Sequence, residues 1–245
     1  MGRARLALIS DVHGNEVALR AVLRDIRALG VDEIACLGDV ATLGPKPREA
    51  LALVVEHCDH LVLGNHDEYM FAPESIHAHT NAPPVISAVD ECRSTLTAQE
   101  IDTMRGFAQR LELPDVAAGA LLFHGSPASN NCDLVAETPE AELDQHLQHH
   151  PQGILAGGHT HVQLLRRYRG RWLLNPGSVG MPFERFVAGA PPTILPHAEY
   201  AIVESDAQGV SVTLRQVELD RAALLRDVRA WSSALSSYVE QQYLR

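Results

Sequence analysis

The chain is short of lysine, of paired cysteines and of long apolar runs, and each shortage excludes a class of protein. Its 20 basic residues include a single lysine, Lys46, in the segment GPKP. That segment lacks the GK[ST] ending of a phosphate-binding P-loop, and with no second lysine we expect no Schiff-base chemistry. No apolar run approaches the roughly 20 residues that cross a bilayer, so we expect no membrane-spanning helix.

The cysteines and the net charge narrow the cellular setting. The four cysteines are widely spaced, without a CxxC pair, which is typical of reduced thiols in the cytosol. The apolar run near the start is too short for a signal peptide, so we predict a cytoplasmic protein. The net charge of −11 argues against broad binding to nucleic acids or anionic membranes, because such binding depends on basic surface.

Strand and helix patterns alternate in the first part of the chain. In order, the pattern predicts a strand over 6–10, a helix over 15–29, a strand over 34–37, a helix over 47–57 and a strand over 61–63. This alternation indicates a layered α/β core. A length of 245 residues fits one such domain with a small insert.

The segment 69–112 breaks the alternation. Prolines interrupt it, two helical patterns follow, and the second opens with a capping box formed by Thr97 and Glu100. No strand pattern is visible there. We therefore interpret 69–112 as a helical insert between core strands.

Strand patterns return after the insert. Those at 120–124 and 153–157 flank a helix that Thr138 is predicted to cap. Two hairpins follow, turning at Gly170 and at 206–209, and they indicate sheets that are not purely parallel.

The last helical pattern begins at Asp220. Its apolar stripe consists of Leu224, Val228, Trp231, Leu235 and Tyr238. We expect this stripe to belong to the core, with a dimer interface as the alternative.

Residues that commonly bind metals follow five of the predicted strands. The segments are SDVHGN, LGDV, LGNHDE, FHGS and GGHTH. Because ligand sites in layered α/β proteins lie at the carboxyl ends of strands, these segments are expected to meet at one crevice. They would bring together Asp11, His13, Asp39, Asn65, His66, His124, His159 and His161.

The chemistry of these side chains indicates the kind of metal. Carboxylate, imidazole and amide groups without thiolates suit Zn, Mn, Fe, Ni or Co in an open site. Without His66, the remaining seven residues are still too many ligands for one catalytic ion that keeps a free position. They fit two ions that share a carboxylate, about 3.5–4 Å apart as in two-metal hydrolases.

The ordered motifs resemble the calcineurin-like metallophosphoesterase superfamily. They are Asp11-x-His13, Gly38-Asp39, Gly64-Asn65-His66-Asp67, His124-Gly125 and Gly158-His159-x-His161. The segment NPGSVGMP at 175–182 is similar to a bacterial branch often labelled diadenosine tetraphosphatase-related. The resemblance covers about residues 6–180. It implies a four-layer α/β/β/α sandwich. We expect this sandwich to be a single domain over 1–245, with 69–112 as a helical cap insert.

The resemblance also implies a role for each motif residue. Two divalent metal ions, with Mn or Fe/Zn favoured, would share Asp39; one would be held by Asp11, His13 and His161, the other by Asn65, His124 and His159. His66 would stabilise the transition state or protonate the leaving group. Asp67 would orient His66 or pair locally, or would be only a turn residue.

The implied activity is hydrolysis of a phosphoester. A hydroxide bridging the two ions would attack the phosphorus of a phosphomonoester, a phosphodiester or a nucleoside polyphosphate. The expected partner is a small phosphorylated molecule, with nucleotides among the candidates. A homo-oligomer is also compatible with the sequence.

Two other classes of protein compete with this interpretation. A catalytically silent metal- or protein-binding scaffold can use the same fold, as in the retromer subunit that resembles this family. The intact ligand set and His66 favour the enzyme. A metallo-β-lactamase-like hydrolase would need an HxHxDH run, which the sequence lacks.

Several further polar residues have both a structural and a functional interpretation. Asn15 either caps the first helix or approaches a substrate phosphate. His77 and His79 lie in the insert, where they either are solvated or reach over the site. The arginines of the first hairpin either form a solvated face or meet a phosphate; they are Arg166, Arg167, Arg169 and Arg171.

Overall fold

Two five-stranded sheets lie between layers of helices in the computed structural model, which describes residues 4–116 and 119–245. The strands are β1 (Ala4–Ile9), β2 (Glu33–Cys36), β3 (His60–Leu61), β4 (Arg110–Leu113), β5 (Ala120–Phe123), β6 (Ile154–Ala156), β7 (Leu164–Tyr168), β8 (Arg171–Asn175), β9 (His197–Asp206) and β10 (Gly209–Glu218). The helices are α1 (Glu16–Leu29), α2 (Pro47–His57), α3 (Asn65–Glu68), α4 (Pro83–Thr95), α5 (Ala98–Arg105), α6 (Glu140–Leu147), α7 (Arg221–Ala230) and α8 (Ser236–Leu244), with a short 3-10 helix over Pro73–Ala78.

Both sheets are mixed, as the two hairpins predicted. The first sheet has the order β10-β9-β1-β2-β3, in which β1, β2 and β3 are parallel, β9 is antiparallel to β1, and β10 is antiparallel to β9. The second has the order β4-β5-β6-β8-β7, in which β5, β6 and β8 are parallel and the two edge strands are antiparallel.

The alternation of side chains along the strands produces the layers. Ala7 and Ile9 of β1 pack with α1 and α2, while Leu6 and Leu8 face the second sheet. On the far side of the second sheet, Phe123 packs against α6. Successive strand residues point to opposite faces, so each sheet is buried on both sides. This is the predicted α/β/β/α sandwich.

The helix boundaries follow their capping residues. Asn15 accepts a hydrogen bond from the backbone N–H of Ala18 at 3.0 Å, and Gly30 ends α1 in the left-handed region at φ 64°. Thr97 and Glu100 form the predicted capping box of α5. The capping residues in the sequence therefore predicted these helix boundaries correctly.

The insert contains a strand that its sequence did not reveal. β4 pairs antiparallel with β5 and forms an edge of the second sheet, so the expectation of no strand within 69–112 was wrong. β4 has only four residues, which are alternately exposed and half-buried, so its sequence gives only a weak strand pattern. The rest of the insert is helical, and Met70, Met104 and Phe107 are buried in the same cluster as α1 and α2.

Two other predicted helices differ in detail. Thr138 does not cap α6, because its Oγ1 accepts a hydrogen bond from the Val135 N–H at 2.9 Å and Pro139 stands at the N-cap. The C-terminal stripe is divided between α7 and α8, because α7 ends at Ala230 and its C-cap residue Trp231 is extended. Ser233 then makes local hydrogen bonds that compete with the helix.

Two structural findings concern the expectations about membrane-spanning helices and about the cysteines. Among residues 4–116 and 119–245, no helix combines the length and apolar character that crossing a membrane requires. The four cysteines are free thiols, two of them buried.

A charged clamp ties α1 to the β9–β10 hairpin. The Asp25 carboxylate accepts hydrogen bonds from the Tyr200 hydroxyl at 2.5 Å and from the Arg215 guanidinium at 2.9 Å. Burial raises the pKa of this carboxyl, but the Tyr200 and Arg215 donors outweigh burial and bring the pKa below 3.8. The clamp therefore stabilises the folded state only while Asp25 is ionised.

We expect Asp25→Ala to lower the free energy of unfolding by about 1–3 kcal/mol at neutral pH, since hydrogen bonds to a charged group are lost. Because the folded pKa lies below the ordinary value, this difference should persist above pH 5 or so and disappear as the pH falls below about 3.8. Urea unfolding of parent and variant at several pH values measures it. Asp90→Asn, which removes an exposed carboxylate, should change little at any pH; a pH-independent loss in Asp25→Ala would contradict the ionic role.

Candidate metal centre

The predicted metal-binding segments all follow strands and meet at one end of the sandwich. Asp11 and His13 follow β1, Asp39 follows β2, Asn65 and His66 open α3 beyond β3, His124 follows β5, and His159 and His161 follow β6. All of these side chains are buried. The two sheets are joined here directly, because the His124 Nδ1–H of the second sheet donates to the Leu37 carbonyl of the first at 2.7 Å.

One cluster consists of Asp11, His13 and His161. The Nε2 atoms of the two imidazoles lie 3.0 Å apart. Asp11 Oδ1 lies 3.3 Å from His161 Nε2 and has no hydrogen-bond partner. Three ligand atoms thus converge on one point.

A second cluster consists of Asp39, His124 and His159. Asn65 Oδ1 joins it, 2.9 Å from His124 Nε2 and 3.1 Å from His159 Nδ1. The Asn65 amide donates to the Tyr69 hydroxyl at 2.8 Å, which turns its oxygen towards the imidazoles.

Asp39 lies between the two clusters. Its Oδ2 is 3.8 Å from His13 Nε2 and 3.4 Å from His124 Nε2, so it faces one imidazole of each cluster. Its Oδ1 accepts the His66 backbone N–H at 2.9 Å. The geometry matches the shared carboxylate expected from the motifs.

Backbone carbonyls fix the imidazoles from behind. His13 Nδ1 faces the Thr42 carbonyl at 3.2 Å and His161 Nδ1 faces the Met181 carbonyl at 2.7 Å, in the same way as His124 faces Leu37. Each Nδ1 then carries the proton, and each Nε2 presents a lone pair to the site. The sequence could not reveal these partners, because any residue supplies a carbonyl.

The NPGS segment also supports the site from behind. The Asn175 side-chain amide donates to the Gly158 carbonyl at 2.5 Å and to Thr160 Oγ1 at 3.1 Å, which holds the histidine turn. The Ser178 hydroxyl donates to the Asp11 carbonyl at 2.7 Å. The sequence of this segment is recognisable as a family motif, but its contacts with the site are visible only in the structure.

The chemistry of these donors fits bound cations. With both Nδ1–H groups on carbonyls, the lone pairs of His13 and His161 face each other beside a buried carboxylate. Buried acceptors that face one another repel unless a cation lies between them. Burial and the neighbouring His161 lower the pKa of His13 to about 4, so its ring is neutral, as a metal ligand must be.

The second cluster shows the same demand for positive charge. Burial disfavours an imidazolium at His124, but the Asp39 and Asp11 carboxylates outweigh burial and raise its pKa to about 9. A proton on His124 Nε2 would offset the negative charge of the Asp39 and Asp11 carboxylates, at the position where a metal ion would otherwise bind. The residues present therefore suit two divalent ions.

Backbone strain is concentrated at the same residues. Five candidate ligands have left-handed φ angles between 48° and 70°: Asp11, His13, Asp39, His159 and His161. Such a conformation costs on the order of 1–3 kcal/mol for a residue other than glycine. Next to Asp39, Gly38 has φ 105°, and a Cβ on it would lie 2.5 Å from the Gly64 nitrogen. The loops are thus packed so closely that only glycine fits between them.

The structure places the two predicted catalytic residues differently. The His66 ring lies over the first cluster, edge-on to His13 with ring centroids 5.2 Å apart, and its Nδ1 has no hydrogen-bond partner. The contacts of Asp67 favour the alternative in which it pairs locally. Its carboxylate accepts the backbone N–H groups of Asp39, Val40 and Gly64 at 2.8–3.0 Å.

The remaining candidates are sorted by their contacts. Asn15 is a helix cap, and its amide donors are directed to the Gly180 carbonyl and the Tyr243 hydroxyl, which leaves none for substrate. The hairpin arginines are engaged elsewhere. Arg166 donates to the carbonyls of 136 and 138, and Arg169 pairs with Asp144 at 2.7 Å. His79 reaches the site, and His77 does not.

Two buried His/Asp clusters at the strand ends of an α/β/β/α sandwich are consistent with a dinuclear metal site, and this defines the class of protein. The model of the calcineurin-like phosphoesterase superfamily domain matches residues 5–198. The chain therefore belongs to that superfamily, and the resemblance drawn from the five motifs is confirmed.

Individual relatives agree with this family. A metallophosphoesterase from Sphaerobacter thermophilus is 29% identical, with a TM-score of 0.74 over 97% of this chain and 98% of that one. A hypothetical protein from Pyrococcus horikoshii OT3 has a TM-score of 0.76 over 97% of this chain and 96% of its own, but its 17% identity shows the fold alone. An uncharacterized protein of Methanocaldococcus jannaschii is 41% identical over 76 residues, and the match spans only 31% of each chain.

We expect the purified protein to bind about two transition-metal ions per chain, as a shared carboxylate requires. Asp39→Ala should lose both ions, because Asp39 Oδ2 faces an imidazole of each cluster, whereas His161→Ala should mainly lose one, because His161 belongs to the first cluster. Elemental analysis of the desalted proteins measures this. His149→Ala, at an exposed position, should keep the parental content; loss of a single ion from Asp39→Ala would argue against the shared carboxylate.

Proposed function

We propose that this protein is a dinuclear metal-dependent phosphoester hydrolase acting on a small phosphorylated substrate. The observation that carries the proposal is the position of Asp39 Oδ2 between two sets of buried donors, with the His66 ring beside them. Membership of the phosphoesterase superfamily supports the reaction type. The donor set, which lacks thiolates, is suited to Mn or to Fe and Zn.

The ligand residues would divide the work between two ions. Asp11, His13 and His161 would hold one, Asn65, His124 and His159 the other, with Asp39 shared. When bound, the ions would lower the pKa of a coordinated water molecule and neutralise charge on the phosphoryl oxygens. The left-handed loops hold the ligands in place before substrate arrives, so little reorganisation is needed during the reaction.

His66 is the residue we propose to assist the leaving group. Its backbone is held by Asp39 and its ring contacts Tyr69, with centroids 5.0 Å apart, so it is positioned without serving as a ligand. Burial lowers the pKa of His66 well below 6.5, so the ring is neutral in the free site and carries a single N–H donor. That donor could hydrogen-bond to the departing oxygen, and the ring could protonate this oxygen once it has itself taken up a proton.

Asp67 has a positioning role in this scheme. Its three amide hydrogen bonds hold the loop that carries Asp39 against the loop that carries His66. Burial and the nearby Asp39 raise the pKa of Asp67 to about 6, although the amides oppose the shift. Asp67 therefore shapes the site through the backbone and does not touch the reacting atoms.

We expect the manganese-loaded protein to hydrolyse at least one member of a panel of phosphomonoesters, phosphodiesters and dinucleoside polyphosphates. His66→Ala should lower kcat by roughly 10²–10⁴-fold, the usual contribution of a general acid. The loss should be smaller for a nitrophenyl ester than for an alkyl ester, because nitrophenolate leaves with little protonation.

The controls separate chemistry from metal binding. His66→Ala should retain the parental metal content, and His149→Ala should retain the parental rates. Equal losses of kcat on both esters would indicate that His66 stabilises charge in the transition state and does not donate a proton. A fully loaded parent that is inert on every ester of the panel would refute the proposed function.

A further inference from the structure

The helical insert reaches the metal centre at one point. The 3-10 helix Pro73–Ala78 is anchored by Ile76, which is 3% exposed and belongs to the cluster beneath α1 and α2. The backbone N–H of His79 closes this helix on the Ile76 carbonyl at 2.9 Å. His79 is therefore held at a fixed distance from a buried anchor.

The His79 ring lies between His66, the residue proposed to assist the leaving group, and His159, a candidate metal ligand. Its centroid is 6.2 Å from the His66 ring and 5.4 Å from the His159 ring. The carboxylate of Asp133 approaches His159 Nε2 at 3.3 Å. His79 thus overhangs the second cluster on the side where His66 faces the site.

No structural partner accounts for this position. In the described parts of the chain, 4–116 and 119–245, the His79 ring makes no hydrogen bond, and the residue is exposed. His77, two residues earlier, behaves differently, because its Nδ1 is bound to Asn81 Oδ1 at 2.9 Å. An exposed imidazole that contacts two rings of the site, yet bonds to neither, is free to bind a ligand.

We propose that His79 is a substrate-contacting residue, which donates a hydrogen bond to an oxygen of the phosphoryl group held between His66 and His159. Either protonation state of an imidazole offers an N–H donor, so the contact does not depend on titration. Hydrogen bonds from nitrogen donors to phosphate oxygens are short and strong. This inference rests on the proposed function and assigns the insert a part in binding the substrate.

The experiment uses inorganic phosphate as the probe, titrated calorimetrically into the manganese-loaded protein. His79→Ala should weaken phosphate binding by about 10-fold or more, because a hydrogen bond to a charged group is lost. His79→Gln keeps an N–H donor of similar reach and should restore part of the affinity. His77→Ala is the matched control and should bind phosphate as the parent does.

Two further readouts separate substrate contact from damage to the site. All three variants should keep the parental metal content, since His79 belongs to neither ligand cluster. On an ester that the parent protein hydrolyses, His79→Ala should raise KM more than it lowers kcat, as expected for an interaction present in both ground and transition states. Phosphate affinity equal to the parent's in His79→Ala would overturn the inference and leave the proposed function intact. A parent that binds phosphate but hydrolyses no ester would overturn the proposed function alone.

Discussion

The structure depends on the placement of one carboxylate, that of Asp39, where water is excluded and two groups of donors meet. The neighbouring histidines outweigh the cost of burial and hold the pKa of Asp39 well below 3.8, so it stays ionised although it is 1% exposed. An ionised carboxylate among buried imidazoles and a second carboxylate is stable only with compensating cations.

That requirement explains why the sandwich ends in strained loops. The ligands come from strands of both sheets, so several loops must pass within contact distance of one another at the same end. Left-handed backbone at Asp11, His13, Asp39, His159 and His161 turns each side chain inward immediately after its strand. Asp67 and Asn175 hold these loops through backbone groups, and bound ions would offset the strain that remains.

Much of this arrangement could be predicted from the sequence, because it depends on local patterns. The helix predicted over 47–57 coincides with α2, and the ligand candidates follow from polar residues directly after apolar runs. Features without a local pattern were missed. β4 is defined by its pairing with β5, and the role of Asp67 depends on amides 27 and 28 residues away.

The same distinction explains the histidines of the insert. His77 and His79 have the same side chain and nearly the same sequence context, and only the end of the 3-10 helix directs one of them to the site. Their difference is a property of the tertiary structure. The position of His79 over the site could therefore be found only from the structure, whereas the candidate metal ligands could be predicted from the motifs themselves.

Anomalous diffraction from crystals of the manganese-loaded protein would show whether two ions share Asp39. We predict two anomalous peaks about 3.5–4 Å apart, the spacing of two-metal sites, with an Asp39 oxygen bound to both. A single peak, or two peaks with no Asp39 oxygen bound to both, would contradict the account.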